Sequence, residues 1–234
     1  MIYLISDLHG YPFERFTELL QRAGFSDDDL LYVLGDVVDR GEDGVRYLLW
    51  LKKQKNIELL LGNHELMMRK CDFLFSPDAP ELMGNLDREQ KIRLGLWMSN
   101  GAKPTLSGLF GISQEEREEL FCYLNALPTY REVTVGGRRY LLTHSGLRDF
   151  EPQKALEEYS AEDFVWNRTQ LDARYFDDIT TVFGHSPTFF YGDRYKGDII
   201  VTDTWVDIDV GAGYGIPPVL LRLDDMARFV ASSD

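Results

Sequence analysis

The chain reads Leu31-Tyr32-Val33-Leu34-Gly35-Asp36-Val37-Val38-Asp39-Arg40-Gly41 where an apolar, β-prone run meets a block of charged residues and glycines. A short apolar run bounded by glycine is typical of a buried strand. Asp36 and Asp39 follow its carboxyl end, which is the edge where open α/β sheets place their ligand crevice. This stretch therefore predicts a buried strand that delivers charged side chains to a functional site.

Four further polar blocks follow apolar runs in the same way, and together they hold all four histidines of the chain. They are Ser6-Asp7-Leu8-His9-Gly10 after Tyr3–Ile5, Gly62-Asn63-His64-Glu65 after Ile57–Leu61, Thr143-His144-Ser145-Gly146 after Tyr140–Leu142, and Gly184-His185 after Thr181–Phe183. We therefore expect five strands to bring their polar residues to one rim.

Helical patterns between the first strands predict an α/β fold built from right-handed βαβ units. Apolar residues recur at helical spacing over residues 13–23 and 45–49. The alternation of strand and helix patterns ends before residues 66–143. We predict one domain over residues 1–234, with a mostly helical cap insertion over 66–130.

Later patterns add a helix start, a hairpin and a second sheet. Ser113-x-x-Glu116 is typical of a capping box, and Val133–Arg138 contains the two-residue glycine turn of a hairpin. The apolar runs Asp198–Thr202, Val206–Asp209 and Val219–Leu223 predict a second sheet of mainly antiparallel strands.

The composition is that of a globular protein with a strong acidic excess. The formal net charge of −14 argues against a nucleic-acid surface, which needs a basic face. No apolar run approaches the length of a bilayer-spanning helix, and the segment Met1–Ile5 lacks the features of a signal peptide. Cys71 and Cys122 lack metal-ligand spacing, which suits a reducing compartment. We therefore expect a cytoplasmic protein without nucleic-acid or membrane partners.

Six oxygen or nitrogen donors in the polar blocks indicate a metal site. They are Asp7, His9, Asp36, Asn63, His144 and His185. Six donors are too many for one tetrahedral ion and suit two metals that share a carboxylate, for which Asp36 is the natural bridge. Because mixed imidazole, carboxylate and amide ligands favour transition metals, we expect two divalent ions, with Mn²⁺ ahead of Fe or Zn²⁺.

Three of these blocks, taken in order, resemble the signature of the phosphoprotein phosphatase family of calcineurin-like metallophosphoesterases. They are Asp7-x-His9-Gly10, Gly35-Asp36-x-x-Asp39-Arg40-Gly41 and Gly62-Asn63-His64-Glu65. The blocks His144-Ser145-Gly146 and Val182–His185 match the remaining metal motifs. The segment Trp97-x-x-Asn100-Gly101-x-x-x-Thr105-Leu106 resembles the cap of bacterial members.

The resemblance implies an α/β metallophosphatase sandwich, with two packed sheets and helices outside. It also implies a first metal on Asp7, His9 and Asp36. The second metal would be bound by Asp36, Asn63, His144 and His185. A hydroxide that bridges the two metals would attack the phosphorus in line, without a phosphoenzyme.

The resemblance also implies catalytic roles outside the metal ligands. His64 would be the general acid, and Asp39 would keep its imidazole cationic. Arg40 would clamp the phosphate by bidentate hydrogen bonds, and Arg168 would be a second phosphate arginine. The simpler alternatives are a loop ion pair between Asp39 and Arg40 and a solvated helix-end charge at Arg168.

Departures from the wider family narrow the function. Gly184-His185-Ser186-Pro187 lacks a second histidine, which disfavours nucleases and phosphodiesterases. Asp207 and Asp209 are expected to face solvent or to cap a turn. The leading prediction is a bacterial-type protein serine/threonine phosphatase, acting on phosphorylated protein or small phosphoesters. The alternative is a dinucleoside polyphosphate hydrolase, which residues 66–143 do not separate from it. A non-catalytic binding module would have lost a ligand or the acid, and this chain keeps them all.

Overall fold

The computed structural model describes residues 1–231, which contain ten strands in two five-stranded sheets. The strands are β1 Ile2–Ile5, β2 Leu30–Val33, β3 Ile57–Leu59, β4 Tyr130–Val135, β5 Arg138–Thr143, β6 Ile179–Phe183, β7 Ile200–Val201, β8 Trp205–Asp207, β9 Val219–Arg222 and β10 Ala227–Val230. The α-helices are α1 Phe13–Arg22, α2 Gly44–Leu51, α3 Asn63–Lys70, α4 Ala79–Leu82, α5 Arg88–Ser99, α6 Lys103–Phe110, α7 Gln114–Ala126 and α8 Ala161–Val165. Short 3₁₀ helices cover Asp72–Phe75, Leu156–Glu158, Thr188–Tyr191, Asp193–Tyr195 and Ala212–Tyr214.

The first sheet has the strand order β10-β9-β1-β2-β3. Its strands β1, β2 and β3 are parallel and are joined by α1 and α2, as the predicted βαβ units require. Helix α1 buries Phe13, Phe16, Leu19 and Leu20, so its apolar stripe faces the core. These parallel strands all end at the same edge of the sheet.

Strand β9 lies in the first sheet, so the prediction of the second sheet for Val219–Leu223 is wrong. β9 pairs antiparallel with β1, with Leu221 opposite Leu4, and β10 pairs antiparallel with β9. The local apolar pattern specifies a strand but carries no information about its partner. The free edge of β1 provides that partner only after the chain has folded.

The second sheet has the order β4-β5-β6-β8-β7. The predicted hairpin is confirmed, because β4 and β5 are antiparallel on either side of Gly136-Gly137. Strands β5, β6 and β8 are parallel, and β7 is antiparallel to β8, so the expectation of mainly antiparallel strands is wrong. The connection over residues 184–204 is long enough for the crossover that a parallel pair needs.

An apolar layer fills the space between the sheets. Leu4 and Leu221 of the first sheet meet Leu142, Val182 and Val206 of the second in one buried cluster. Helices cover the outer faces through a second, larger cluster. The predicted two-sheet α/β sandwich is confirmed.

Helices α3 to α7 lie within residues 63–126, which overlap most of the segment 66–130 predicted as a mostly helical insertion. The predicted capping box starts α7, because the Glu116 N–H donates to Ser113 Oγ at 3.2 Å. Cys71 is buried and Cys122 exposed, and both are free thiols. Within residues 1–231, no helix is both long enough and apolar enough to cross a membrane.

Candidate active site

The loops after β1, β2, β3, β5 and β6 meet at the carboxyl ends of these strands. The structure brings all six predicted metal-binding side chains together there. They are Asp7, His9, Asp36, Asn63, His144 and His185. Five of them are buried, and His185 is half-buried. The rim is thus shared by both sheets.

Three polar atoms, from Asn63, His144 and His185, lie close together in one group. His144 Nε2 lies 2.9 Å from Asn63 Oδ1 and 3.2 Å from His185 Nδ1, which is itself 2.9 Å from Asn63 Oδ1. His144 Nδ1 lies 2.7 Å from the Leu34 carbonyl and so donates its proton there. Its Nε2 therefore presents a lone pair to the group.

The second group surrounds His9 in the same way. His9 Nδ1 lies 3.0 Å from the Val38 carbonyl, so its proton is also held by backbone. His9 Nε2 then faces Asp7 Oδ1 at 3.9 Å and Asp36 Oδ2 at 3.7 Å. A backbone carbonyl thus selects the ligating nitrogen in both groups.

Asp36 belongs to both groups. Its Oδ1 accepts the His64 backbone N–H at 2.9 Å, while its Oδ2 lies among three imidazole nitrogens. The distances from Oδ2 to Nε2 are 3.7 Å for His9, 3.8 Å for His64 and 3.5 Å for His144. Two sets of donors can each enclose an ion, namely His9, Asp36 and His64, and Asp36, His144 and His185.

Burial shifts the pKa of these groups towards the neutral form of each side chain. It raises the pKa of Asp36 well above its ordinary value and lowers the pKa of His9 and His185 well below theirs. Neutral imidazoles are the form that binds metals. Nε2 of His185 is buried without a hydrogen-bond partner in residues 1–231. Convergent lone pairs beside a shared carboxylate fit divalent cations.

His64 and Asp39 form a buried pair beside this centre. His64 Nδ1 lies 2.5 Å from Asp39 Oδ2, and both side chains are almost fully buried. Burial lowers the pKa of His64, but Asp36 and the hydrogen bond to Asp39 outweigh it, so the pKa is raised. The arrangement favours the protonated form of the His64 imidazole.

The helical segment holds this pair in place. Trp97 Nε1 donates to Asp39 Oδ2 at 2.7 Å, and the Asp39 backbone N–H donates to Thr105 Oγ1 at 2.8 Å. The Arg40 N–H donates to the Gly101 carbonyl at 2.9 Å. The family-like segment at residues 97–106 therefore reaches the site through hydrogen bonds that its sequence alone does not reveal.

Two arginines line the mouth of the cavity that holds these residues. Arg40 and Arg168 are both exposed, and no carboxylate in residues 1–231 forms an ion pair with either. The alternative of a loop ion pair between Asp39 and Arg40 is therefore wrong. Two positive charges face a cavity in an acidic protein, where they are available to an anionic ligand.

Glu65 stabilises the loops of the site through hydrogen bonds, although the Gly62-Asn63-His64-Glu65 block gave it no predicted role. Its buried carboxylate accepts backbone N–H groups from Asp36 at 2.8 Å, Val37 at 2.9 Å and Gly62 at 3.1 Å. A signal was present in the sequence, because Glu65 is the third residue of α3 and a capping glutamate reaches back from that position.

Asp207 and Asp209 are buried, so the expectation that they face solvent is wrong. The Asp209 N–H donates to Asp207 Oδ1 at 3.0 Å, and the Gly211 N–H donates to Asp209 Oδ1 at 2.8 Å. They cap a turn, which was the other expectation. Burial raises the pKa of both carboxyls well above the ordinary value.

Backbone strain is concentrated at the site. Of the eight non-glycine residues with positive φ in residues 1–231, six are candidate site residues. They are Asp7, His9, Asp36, Asp39, Arg40 and His185. Such conformations cost about 1–3 kcal/mol each and persist where the surroundings hold them, often for function.

Two sheets that gather imidazoles and carboxylates around a shared aspartate define the class of metal-dependent hydrolases. The family profile for calcineurin-like phosphoesterases matches residues 1–212. The chain belongs to this family, and its donor groups are suited to divalent metal ions.

Part of the chain is similar to bacterial enzymes named symmetrical bis(5'-nucleosyl)-tetraphosphatase. The relative from Buchnera aphidicola subsp. Acyrthosiphon pisum (strain 5A) is 34% identical over 97 residues, which are 35% of each chain. The relative from Salmonella paratyphi B is 33% identical over 108 residues, or 39% of this chain and 38% of its own. The matched stretch thus spans little more than a third of these curated relatives.

Solved structures share the fold over nearly the whole chain. A candidate diadenosine tetraphosphatase aligns over 98% of this chain and 91% of its own, with a TM-score of 0.63 and 18% identity. A protein serine/threonine phosphatase from Saccharomyces cerevisiae aligns over 100% and 80%, with a TM-score of 0.53 and 16% identity. At these identities the likeness concerns the fold alone.

Proposed function

We propose that the protein is a metal-dependent hydrolase of dinucleoside polyphosphates. The observation that carries the hydrolytic chemistry is the position of Asp36 Oδ2 between two groups of metal donors. The partial similarity to symmetrical bis(5'-nucleosyl)-tetraphosphatases supports the substrate class. These relatives favour the alternative function over the protein serine/threonine phosphatase that leads from the sequence.

The six donors would hold two divalent ions, for which Mn²⁺ is our first choice. Asp7, His9 and Asp36 would bind one ion, and Asp36, Asn63, His144 and His185 the other. Bound there, the ions supply a nucleophile from water at neutral pH and a positive clamp on phosphoryl oxygens.

The remaining site residues act on the substrate directly. His64 would protonate the leaving oxygen from Nε2, because its Nδ1 is engaged by Asp39 at 2.5 Å. Arg40 and Arg168, which are free of carboxylate partners in residues 1–231, would bind phosphate oxygens at the mouth of the cavity. A polyphosphate offers more oxygens to such a pair than a single phosphate does.

A substrate comparison with purified protein and Mn²⁺ tests this function. We expect kcat/KM for diadenosine tetraphosphate to exceed that for a phosphoserine peptide roughly tenfold or more. Asp36→Asn should abolish turnover, whereas Asp177→Asn, at a 95% exposed side chain, should not change it. Efficient cleavage of the peptide with an inert dinucleotide would overturn the substrate and favour the protein phosphatase. Full activity of Asp36→Asn would overturn the metal assignment.

A further inference from the structure

Two large aromatic rings are exposed at the mouth of the active-site cavity. Phe190 is 53% exposed and Tyr214 is 55% exposed, and both line the same cavity as Arg40 and Arg168. Their ring centroids lie 5.8 Å apart with the planes at 74°. We call Phe190 and Tyr214 the aromatic rim. Exposed aromatic rings grouped beside a polar cavity are typical of a ligand-binding site.

Ring packing and a backbone hydrogen bond hold the aromatic rim beside the candidate metal-binding residues. Phe190 lies in the 3₁₀ helix Thr188–Tyr191, and Tyr214 ends the 3₁₀ helix Ala212–Tyr214. Phe189 packs against both rings, with centroids at 4.8 Å and 5.5 Å. The Thr188 N–H donates to the Asp209 carbonyl at 2.8 Å, which ties the two loops together.

The loop that carries Tyr214 also lies directly on the site. A Cβ atom on Gly213 would come within 2.6 Å of the His9 ring and 2.5 Å of the Arg40 guanidinium, so only glycine allows this approach. The Arg40 guanidinium lies 5.1 Å from the centroid of the Tyr214 ring. The rim therefore has a set position relative to the phosphate-binding charge.

This combination selects a particular ligand chemistry. Arginine binds the phosphate, and an exposed ring face next to it stacks on a flat aromatic group attached to that phosphate. A nucleotide has both parts, whereas a phosphoserine side chain has no ring. Phe190 and Tyr214 are uncharged, so the aromatic rim adds no negative charge that would repel an anionic nucleotide from this acidic protein.

We propose that Phe190 and Tyr214 form a nucleobase-binding subsite, in which one ring stacks on the base and the other contacts its edge, for a nucleotide whose phosphates lie at Arg40 and Arg168. This inference deepens the proposed function and rests on it, because it explains how a dinucleoside polyphosphate is distinguished from other phosphoesters. The subsite recognises the flat face of the base, so it accepts different bases.

Equilibrium binding to the metal-loaded protein tests the subsite. The affinities for adenosine monophosphate and for inorganic phosphate are measured by calorimetry, and their ratio is the readout. We expect the wild type to prefer the nucleotide and Phe190→Leu to lower the ratio roughly fivefold to a hundredfold. Tyr214→Leu should lower it too, and Phe190→Tyr, which keeps a ring, should restore it.

Phe110→Leu is the matched control, because Phe110 is an exposed phenylalanine on α6, outside the cavity lining. It should leave the ratio unchanged. An unchanged ratio in folded Phe190→Leu and Tyr214→Leu would overturn the subsite, even if diadenosine tetraphosphate is cleaved. A wild type that prefers the nucleotide and loses this preference in both variants, yet cleaves only phosphopeptides, would overturn the proposed function and leave the subsite standing.

Discussion

Asp39 Oδ2 is shared by two buried donors, with His64 Nδ1 at 2.5 Å and Trp97 Nε1 at 2.7 Å. One carboxylate oxygen therefore joins the proposed proton donor to the helical segment. Any change in either contact alters the charge that His64 experiences. Removing the charge of Asp39 and removing the Trp97 donor should therefore shift the pH dependence of activity in opposite directions.

Asp39→Asn should make activity fall at lower pH than in the wild type. The pKa of His64 is raised, so activity that needs its proton is present below that pKa and is lost as the pH rises through it. Removing the Asp39 charge lowers that pKa and brings the loss to lower pH. We expect roughly a 10- to 100-fold lower rate at mildly alkaline pH. A pH–rate profile checks this, and an unshifted alkaline limb would contradict it.

Trp97→Phe should shift the alkaline limb of the pH–rate profile to higher pH. Without the indole N–H, Asp39 Oδ2 keeps His64 as its partner and becomes a stronger acceptor, which raises the pKa of His64 further. The free energy of unfolding should fall by about 1–3 kcal/mol, because a buried carboxylate loses a donor. Urea denaturation and the pH–rate profile measure the two effects. An unshifted limb would show that Trp97 acts only through packing, and a shift to lower pH would contradict the prediction.

His64→Asn should slow hydrolysis but leave metal binding intact. Loss of a general acid costs roughly 10²–10⁴ in rate, with the larger loss for substrates whose leaving group is a poor one. The hydrolysis rate of an alkyl phosphate should therefore fall more than that of diadenosine tetraphosphate. Metal content per protein should match the wild type. Loss of metal together with activity would instead make His64 a ligand, as its position near Asp36 Oδ2 at 3.8 Å permits.

Glu65→Gln should loosen the Asp36 loop. The buried carboxylate accepts the N–H groups of Asp36 and Val37, and a glutamine amide turns a donor toward one of them. We expect the free energy of unfolding to fall by about 2–3 kcal/mol and the metal affinity to fall roughly tenfold or more. Denaturation and metal titration measure these changes. Glu89→Gln, at an 80% exposed side chain, is the control and should alter neither.

Local patterns predicted the strands and their polar blocks because both depend on neighbouring residues. Asp36 was predicted as the shared carboxylate, and the structure places its Oδ2 among three imidazoles. The role of Glu65 was missed, because its partners Asp36 and Val37 lie 29 and 28 residues away. No short-range pattern encodes hydrogen bonds of that span.

The amino-acid sequence by itself determined the family and the edge of the sheets to which the polar blocks lead, and it predicted the set of metal-binding residues. Only the tertiary structure decided which sheet receives β9 and which nitrogen of each imidazole faces the centre. His144 is oriented by the Leu34 carbonyl, 110 residues away, and His64 by Asp39, itself bound to Trp97. Strand formation follows from local apolar periodicity. The orientation of a side chain depends on distant backbone and side-chain groups, which packing alone brings into reach.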